Sequence, residues 1–299
     1  MTDWSSMRIA VVGGDERERE IARLAAATGA DVAAYGFPWP EGGIEGVALA
    51  CSAADALRGA DYALFPIPGI AADGSLFAPE CPERIVPTAD LLAELRDGAA
   101  IVLGMADDGL RAAAEQHGIA LLEYEHDREL MMLRAPAIVE GALRIAVEHT
   151  DVTIHASEVV VVGFGNIGGL LASTLRALGA NVTVAARNPV QRADAYAIGA
   201  RPLPLADLAA EADRFQMVFS AVPAPVVGRE VLERLPPGSL VMDLAAPPGG
   251  VDLELARELG HRAVWARGLG RRAPITVGAS QWSGIRRRIE ERELQKVSA

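Results

Sequence analysis

The run VVVVGFGNIGG, Val159 to Gly169, constrains this chain more than any other stretch. Four successive valines read as a buried strand, and LLASTLRALGA beyond the glycines reads as a helix. Between them Gly163, Gly165 and Gly168 form G-x-G-x-x-G in the strand-to-helix context that gives the pattern a mechanism. Gly163 permits the tight turn, Gly165 lets the backbone approach a pyrophosphate, and Gly168 lets the helix pack close to the strand. The helix N-terminus directs amide groups and a partial positive charge at phosphates. Phe164, Asn166 and Ile167 complete the turn and are read with the glycines as cofactor-binding.

The end of the following strand selects the cofactor. An NAD site usually carries Asp or Glu there, about 20 residues on, to hold the ribose hydroxyls. Here VTVAARNP places Ala186, Arg187 and Asn188 at that point. A planar arginine fork suits a 2′-phosphate, so NADP(H) is predicted over NAD(H), with Arg187 and Asn188 at its adenosine end. Two later segments, SAVPAP (Ser220 to Pro225) and DLAAPPGG (Asp243 to Gly250), end strands on the same side. Ala221, Val222, Pro223 and Ala245 are therefore read as bordering the nicotinamide.

The first half alternates strand and helix as well. Strands are predicted at Arg8–Val12, Asp31–Tyr35, Tyr62–Phe65, Ala100–Leu103 and Ile119–Glu123, with helices at Glu18–Ala27 and Asp108–His117. Gly36–Gly46 and Pro66–Pro87 read as loops, and a bridging helix is predicted at Pro136–Glu148. The second half is predicted to hold strands at Val159–Val162, Val182–Ala186, Met217–Ala221, Leu240–Leu244 and Ala263–Ala266, with a helix at Ile167–Leu178. The expected fold class is α/β: two Rossmann-like, doubly wound parallel-sheet domains with a cleft between them. Residues 1–135 form the N-terminal, substrate-side domain and 136–299 the NADP-binding domain, with the charged helix 280–299 offered as a completing element of the first.

Composition narrows the chemistry. A net charge of −12 argues against nucleic acid or an anionic membrane as partner. No apolar run is long enough to span a bilayer, and no secretory leader is recognised. Only two cysteines, Cys51 and Cys81, are present, neither spaced for a metal, so no metal site is expected and a reducing cytoplasm is the expected compartment. Lys296 is the only lysine, which excludes Schiff-base chemistry and a P-loop.

The opening turn, AVVGGDERERE (Ala10 to Glu20), resembles a phosphate loop but lacks the third glycine and is crowded with acids. Gly13, Gly14 and Asp15 are read two ways, as backbone-amide binders of substrate or as a turn in which Asp15 caps a helix.

The segments RIAVVGGDERERE, VEGALRIAVEHTDVTIHASEVVVVGFGNIGG, GANVTVAARN and DLAAPPGG occur in an order that resembles the A subunits of dipicolinate synthase, over nearly the whole chain. EHTDVTIH before the Rossmann strand and GGD at the first turn carry the resemblance. It implies an enzyme of sporulating bacteria that takes a dihydrodipicolinate-level intermediate of the lysine pathway to pyridine-2,6-dicarboxylate, with hydride passing to NADP. It also implies a partner, a flavoprotein-like B subunit, and a homo-oligomer is expected. Two segments depart from the family pattern. LRAPAIVEG has Arg134, Ala135 and Ile138 where polar side chains are expected, and GLGRRAPITVG replaces a GLPG pattern while keeping Ala273, Pro274 and Thr276.

A dicarboxylate needs two anion sites, for which Arg134, Arg267, Arg271 and Arg272 are candidates, with Thr276 in the same pocket. Glu140 is the expected proton acceptor if buried, and His149 a second catalytic candidate; His155 brackets the same link. Two alternatives remain: a 2-hydroxyacid dehydrogenase, which wants a late histidine where this chain offers only His261, and a regulatory subunit that holds NADP without turnover.

Overall fold

A computed structural model describes residues 2–298 of the chain. It divides into two compact units. Unit 1 takes in the chain up to Arg134 and again from Ala273; unit 2 is Ala135–Arg272.

Unit 1 contains β1 (Arg8–Val12), α1 (Glu16–Ala26), β2 (Asp31–Tyr35), β3 (Val47–Leu49), α2 (Ala53–Leu57), β4 (Tyr62–Leu64), α3 (Ala89–Leu92), β5 (Ala100–Leu103), α4 (Asp108–Gln116) and β6 (Ala120–Glu123). Its sheet is parallel throughout, in the order β3-β2-β1-β4-β5-β6. Helix α5 (Arg128–Glu148) carries the chain into unit 2. There follow β7 (Glu158–Val162), α6 (Asn166–Ala177), β8 (Asn181–Ala186), α7 (Pro189–Ala197), β9 (Arg201–Pro204), β10 (Met217–Ser220), α8 (Arg229–Leu232), β11 (Leu240–Asp243), α9 (Leu253–Glu258) and β12 (Arg262–Trp265). This sheet is also parallel, in the order β12-β11-β10-β7-β8-β9. Counted within its own unit, each sheet runs 3-2-1-4-5-6 or its reverse, the doubly wound Rossmann order.

Both sheets are covered on both faces, which is why their central strands are nearly continuous apolar runs. In β1, Ile9 and Val11 enter one core and Ala10 and Val12 the opposite one. In β7, Val159 and Val161 enter one core and Val160 and Val162 the other.

The last helix, α10 (Pro274–Ser298), is longer than predicted and packs on unit 1, so the second unit ends at Arg272 rather than at the end of the chain. Val277, Trp282, Ile285 and Ile289 of α10 are buried, and Trp282 lies 5.8 Å, centroid to centroid, from Trp4. Helix α5 begins two turns before Pro136, because the proline is accommodated inside the helix rather than starting it. The edge strands β3 and β9 lie outside the predicted set. Each is three or four residues long, and Pro202 and Pro204 of β9 are tolerated because an edge strand leaves one side unpaired.

Candidate dinucleotide site and its surroundings

The turn after β7 is built by three glycines, each glycine for a different reason. Gly163 has φ +92°, and a Cβ there would lie 2.6 Å from Val222 Cγ2. A Cβ on Gly168 would lie 2.3 Å from the Gly163 carbonyl oxygen, so this position must be glycine for α6 to pack against the turn. Gly165 differs: its φ of −87° suits any residue, and a Cβ would meet no protein atom within 4 Å. Nothing in the protein requires glycine at 165; a ligand lying against its backbone would. The helix that follows has no side-chain cap, so its leading amides, Asn166, Ile167 and Gly168, are not engaged by a cap residue.

A cavity of about 370 Å³ opens here, within the usual size of a small-molecule site. Gly163, Phe164, Gly165, Arg187, Asn188, Ala221, Val222 and Pro223 line it, together with Ala185, Ala186, Gln191 and Leu205. Asn166, Ile167, Gly168 and Ala245 are not on its wall. The end of β8 carries no carboxylate. Arg187 is exposed, and its guanidinium makes no hydrogen bond or ion pair to any other described residue. Asn188 is partly committed, since its Oδ1 accepts the Val190 N–H at 2.8 Å and caps α7. Arg192 donates to the carbonyl oxygens of Ala186 at 2.9 Å and Arg187 at 2.7 Å.

The DLAAPPGG segment is organised by Asp243. Its buried carboxylate accepts from the N–H groups of Ala245 (3.0 Å), Gly250 (2.7 Å) and Val251 (3.2 Å). A Cβ on Gly250 would sit 2.5 Å from the Val222 carbonyl oxygen, so this loop braces the Val222 wall of the cavity. Sequence reasoning places Ala245 here but misses Asp243, Gln191, Leu205 and Arg192. A single acid after an apolar strand and an arginine inside a helix carry no motif of their own.

The other predicted residues fare differently. In unit 1, the N–H of Gly13 donates to Tyr35 O at 2.9 Å and that of Gly14 to Phe77 O at 2.7 Å, so neither amide is left for a substrate. Asp15 takes the capping role. It accepts the Arg17 N–H at 3.2 Å, pairs with the buried Arg17 guanidinium at 2.7 and 2.8 Å, and its own N–H donates to Glu18 Oε2 at 2.7 Å. Burial pushes the Glu18 carboxyl up to about 7, against the opposing pull of Arg17. Arg134 is mostly buried and pairs with Glu125 at 3.3 Å. Thr276 is exposed on the first turn of α10.

Of the two catalytic candidates, Glu140 does not meet the condition of burial on which its role rests. Glu140 is not buried: its side chain is 58% exposed and ion-paired with Arg272. The desolvation that would suit it to general-base work is absent. His149 is exposed at the end of α5, with ring Nδ1 3.0 Å from its own helix's Ile145 carbonyl. Arg267 stacks over Trp265, 5.4 Å from the ring centroid, and Arg271 lies in the short helical turn Leu269–Arg272. His261 is buried before β12, its Nε2 2.8 Å from Leu232 O, at the end of the strand opposite the cavity. Among the described residues no cluster of His, Cys, Asp or Glu could hold a metal, and no helix is long and apolar enough to cross a membrane.

Two family models match. Residues 8–125 match the N-terminal domain of the dipicolinate synthase A subunit, and residues 137–248 match the NAD-binding domain of D-isomer specific 2-hydroxyacid dehydrogenases. The chain is 31% identical to the A subunit of dipicolinate synthase from Bacillus subtilis over 92% of its own length and 93% of that protein's. Among solved structures, the A subunit of dipicolinate synthase from Bacillus halodurans superposes with a TM-score of 0.87 at 27% identity, covering 96% of this chain and 98% of the other. A transhydrogenase from Sinorhizobium meliloti shares the fold, with a TM-score of 0.68 at 19% identity over 93% of this chain and 92% of that one.

Proposed function

Because the chain belongs to the family of dipicolinate synthase A subunits, we propose that it is an NADP-dependent oxidoreductase subunit that forms pyridine-2,6-dicarboxylate from a dihydrodipicolinate-level intermediate. The second unit matches the NAD-binding domain of a dehydrogenase family. The observation that carries the choice of cofactor is the end of β8: no carboxylate, and on the cavity wall an arginine whose guanidinium makes no hydrogen bond or ion pair to another described residue.

The residues fit a dinucleotide. Gly165 leaves its backbone open, the uncapped start of α6 offers amides to a pyrophosphate, and Arg187 offers a fork to a 2′-phosphate. Ala221, Val222 and Pro223 line the same cavity. When bound, the oxidised nicotinamide would supply a hydride acceptor for the substrate ring, which loses its proton to solvent in the same two-electron oxidation, and aromatisation supplies the driving force. Arg272, ion-paired with the exposed Glu140, is the cation we assign to one substrate carboxylate. An anion arriving there displaces Glu140 from the pair. Glu140 is in this reading a gate on Arg272 rather than the base.

A partner of B-subunit type, a cytoplasmic setting and a homo-oligomer belong to the same proposal. The test is direct. The purified chain is incubated with the cyclic lysine-pathway intermediate and NADP or NAD, with and without a flavoprotein-like partner, and the ultraviolet absorbance of the aromatic product is followed. Product formed faster with NADP supports the proposal. Cofactor binding without product in either arm leaves a regulatory subunit, and turnover of a 2-hydroxy acid instead would move the chain to the dehydrogenases that share its second domain.

A further inference from the structure

Unit 1 buries five polar side-chain atoms that meet no hydrogen-bond partner among the described residues: Arg292 Nε, whose guanidinium is otherwise engaged, and four atoms on three residues, Glu18 Oε1, Tyr124 OH, and the Oε1 and Nε2 of Gln281. Each of these three residues is at most 2% exposed. Buried polar groups are normally satisfied by protein or by ordered water, because leaving one bare costs stability.

The fold sets the three on adjoining elements of unit 1. Glu18 is wedged onto the turn between β1 and α1, where a Cβ on Gly14 would overlap its carboxyl carbon at 2.2 Å. Glu18 and Tyr124 lie within electrostatic reach of each other. Gln281 lies on one stripe of α10 with Gly278 and Arg288, residues three and seven positions away. The Cβ position of Gly278 is 2.6 Å from the Arg17 carbonyl oxygen, and the Arg288 guanidinium lies 5.7 Å from the Tyr124 ring centroid. Gln281 therefore falls between the neighbours of Glu18 and those of Tyr124.

We propose that Glu18, Tyr124 and Gln281 enclose an internal hydration site, in which ordered water bridges the Glu18 Oε1, the Tyr124 hydroxyl and the Gln281 carboxamide. The donor and acceptor set selects the ligand. A carboxylate oxygen and an amide oxygen accept, an amide nitrogen donates, and a phenol does either. A small neutral dipole that both donates and accepts satisfies all of them. An isolated cation has weaker support, because the nearby Asp15 is committed to Arg17; an anion would face Glu18 itself. Buried water typically makes about three hydrogen bonds, so roughly one or two molecules complete the set. The glycine-rich acidic turn that imitates a phosphate loop thus holds a hydrated carboxyl group on its inner side.

The test combines crystallography with a double-mutant cycle on the full chain. A high-resolution crystal structure is expected to show water density within hydrogen-bonding distance of all three side chains. Tyr124→Phe and Gln281→Leu are each expected to lower Tm by about 2–4 °C, and the double variant by less than the sum, since both act on the same water. Tyr124→Phe melting at or above the parent's Tm would overturn the proposal, because that is how removal of an unpartnered hydroxyl behaves. Additive losses, or an empty or absent site in the crystal, would overturn it equally.

Discussion

Arg192 Nη1 lies 2.7 Å from the carbonyl oxygen of Arg187, so one arginine fixes the backbone from which another reaches the cavity wall. The pair makes cofactor choice testable at two levels. With Arg187 on the 2′-phosphate as proposed, Arg187→Ala would remove charge-assisted hydrogen bonds worth about 1.5–3 kcal/mol, and NADP affinity should fall about 10- to 100-fold while NAD affinity stays within about twofold. Arg192→Gln should cost NADP affinity less, through a looser turn. Calorimetric titration of both cofactors into both variants reads this out, and an unchanged preference in Arg187→Ala would remove the case for NADP.

The glycine turn separates packing from ligand approach. Gly168→Ala puts a methyl 2.3 Å from a backbone carbonyl that cannot swing away. It should destabilise the chain by roughly 1–3 kcal/mol, seen as a lowered urea midpoint. Gly165→Ala adds its methyl to open space and should leave the midpoint unchanged, yet weaken cofactor binding about tenfold or more. A Gly165→Ala chain that binds cofactor as well as the parent would mean that the pyrophosphate does not cross this residue.

The turns after β1 and β7 also mark what is legible in sequence. Both strands are legible because a strand buried on both faces is apolar throughout, whatever its partners. The glycine motif is legible because its spacing reflects one backbone path, and Arg187 because strand β8 ends at a set distance from it. The edge strands β3 and β9 are not, since three or four residues with little or no periodicity leave no pattern to read. Leu205 reaches the cavity, and Asp243 organises the loop that braces it, through tertiary folding, while Gln191 comes with the first turn of α7 and carries no motif. Burial of Glu140 is a natural expectation from its helix, but a helix face turns outward or inward only according to what packs on it. The first turn resembles a ligand site because its glycines are real turn glycines. The structure commits their amides to Tyr35 and Phe77.

Glu140 and Arg272 give a kinetic prediction. An exposed carboxylate in an ion pair is not an effective internal base, so Glu140→Gln should keep kcat within about threefold. Freed from its partner, Arg272 should bind the substrate carboxylate more readily, lowering KM. Arg272→Ala should raise KM about tenfold or more with a smaller change in kcat, the signature of lost substrate binding. A loss of kcat of about a hundredfold or more in Glu140→Gln, with the fold intact, would restore Glu140 as the proton acceptor.

Glu18 sets a pH dependence whose sign follows from burial. The folded carboxyl titrates near 7 and the unfolded one near 4.5, so the folded state holds a proton more tightly. Stability from this group is fully present below pH 4.5 and is lost as pH rises through 7. The loss is about 3 kcal/mol when complete, on the order given by about 1.36 kcal/mol per pH unit. Glu18→Gln keeps an oxygen to accept the Asp15 N–H that closes the capping box, and it abolishes the titration. The variant and its parent should therefore unfold at similar denaturant concentrations near pH 5, and the variant should be the more stable near pH 8. Tryptophan fluorescence follows unit 1 well, because Trp4 and Trp282 sit in its core. If the gap between variant and parent were the same at both pH values, the buried carboxyl would not be the group that titrates.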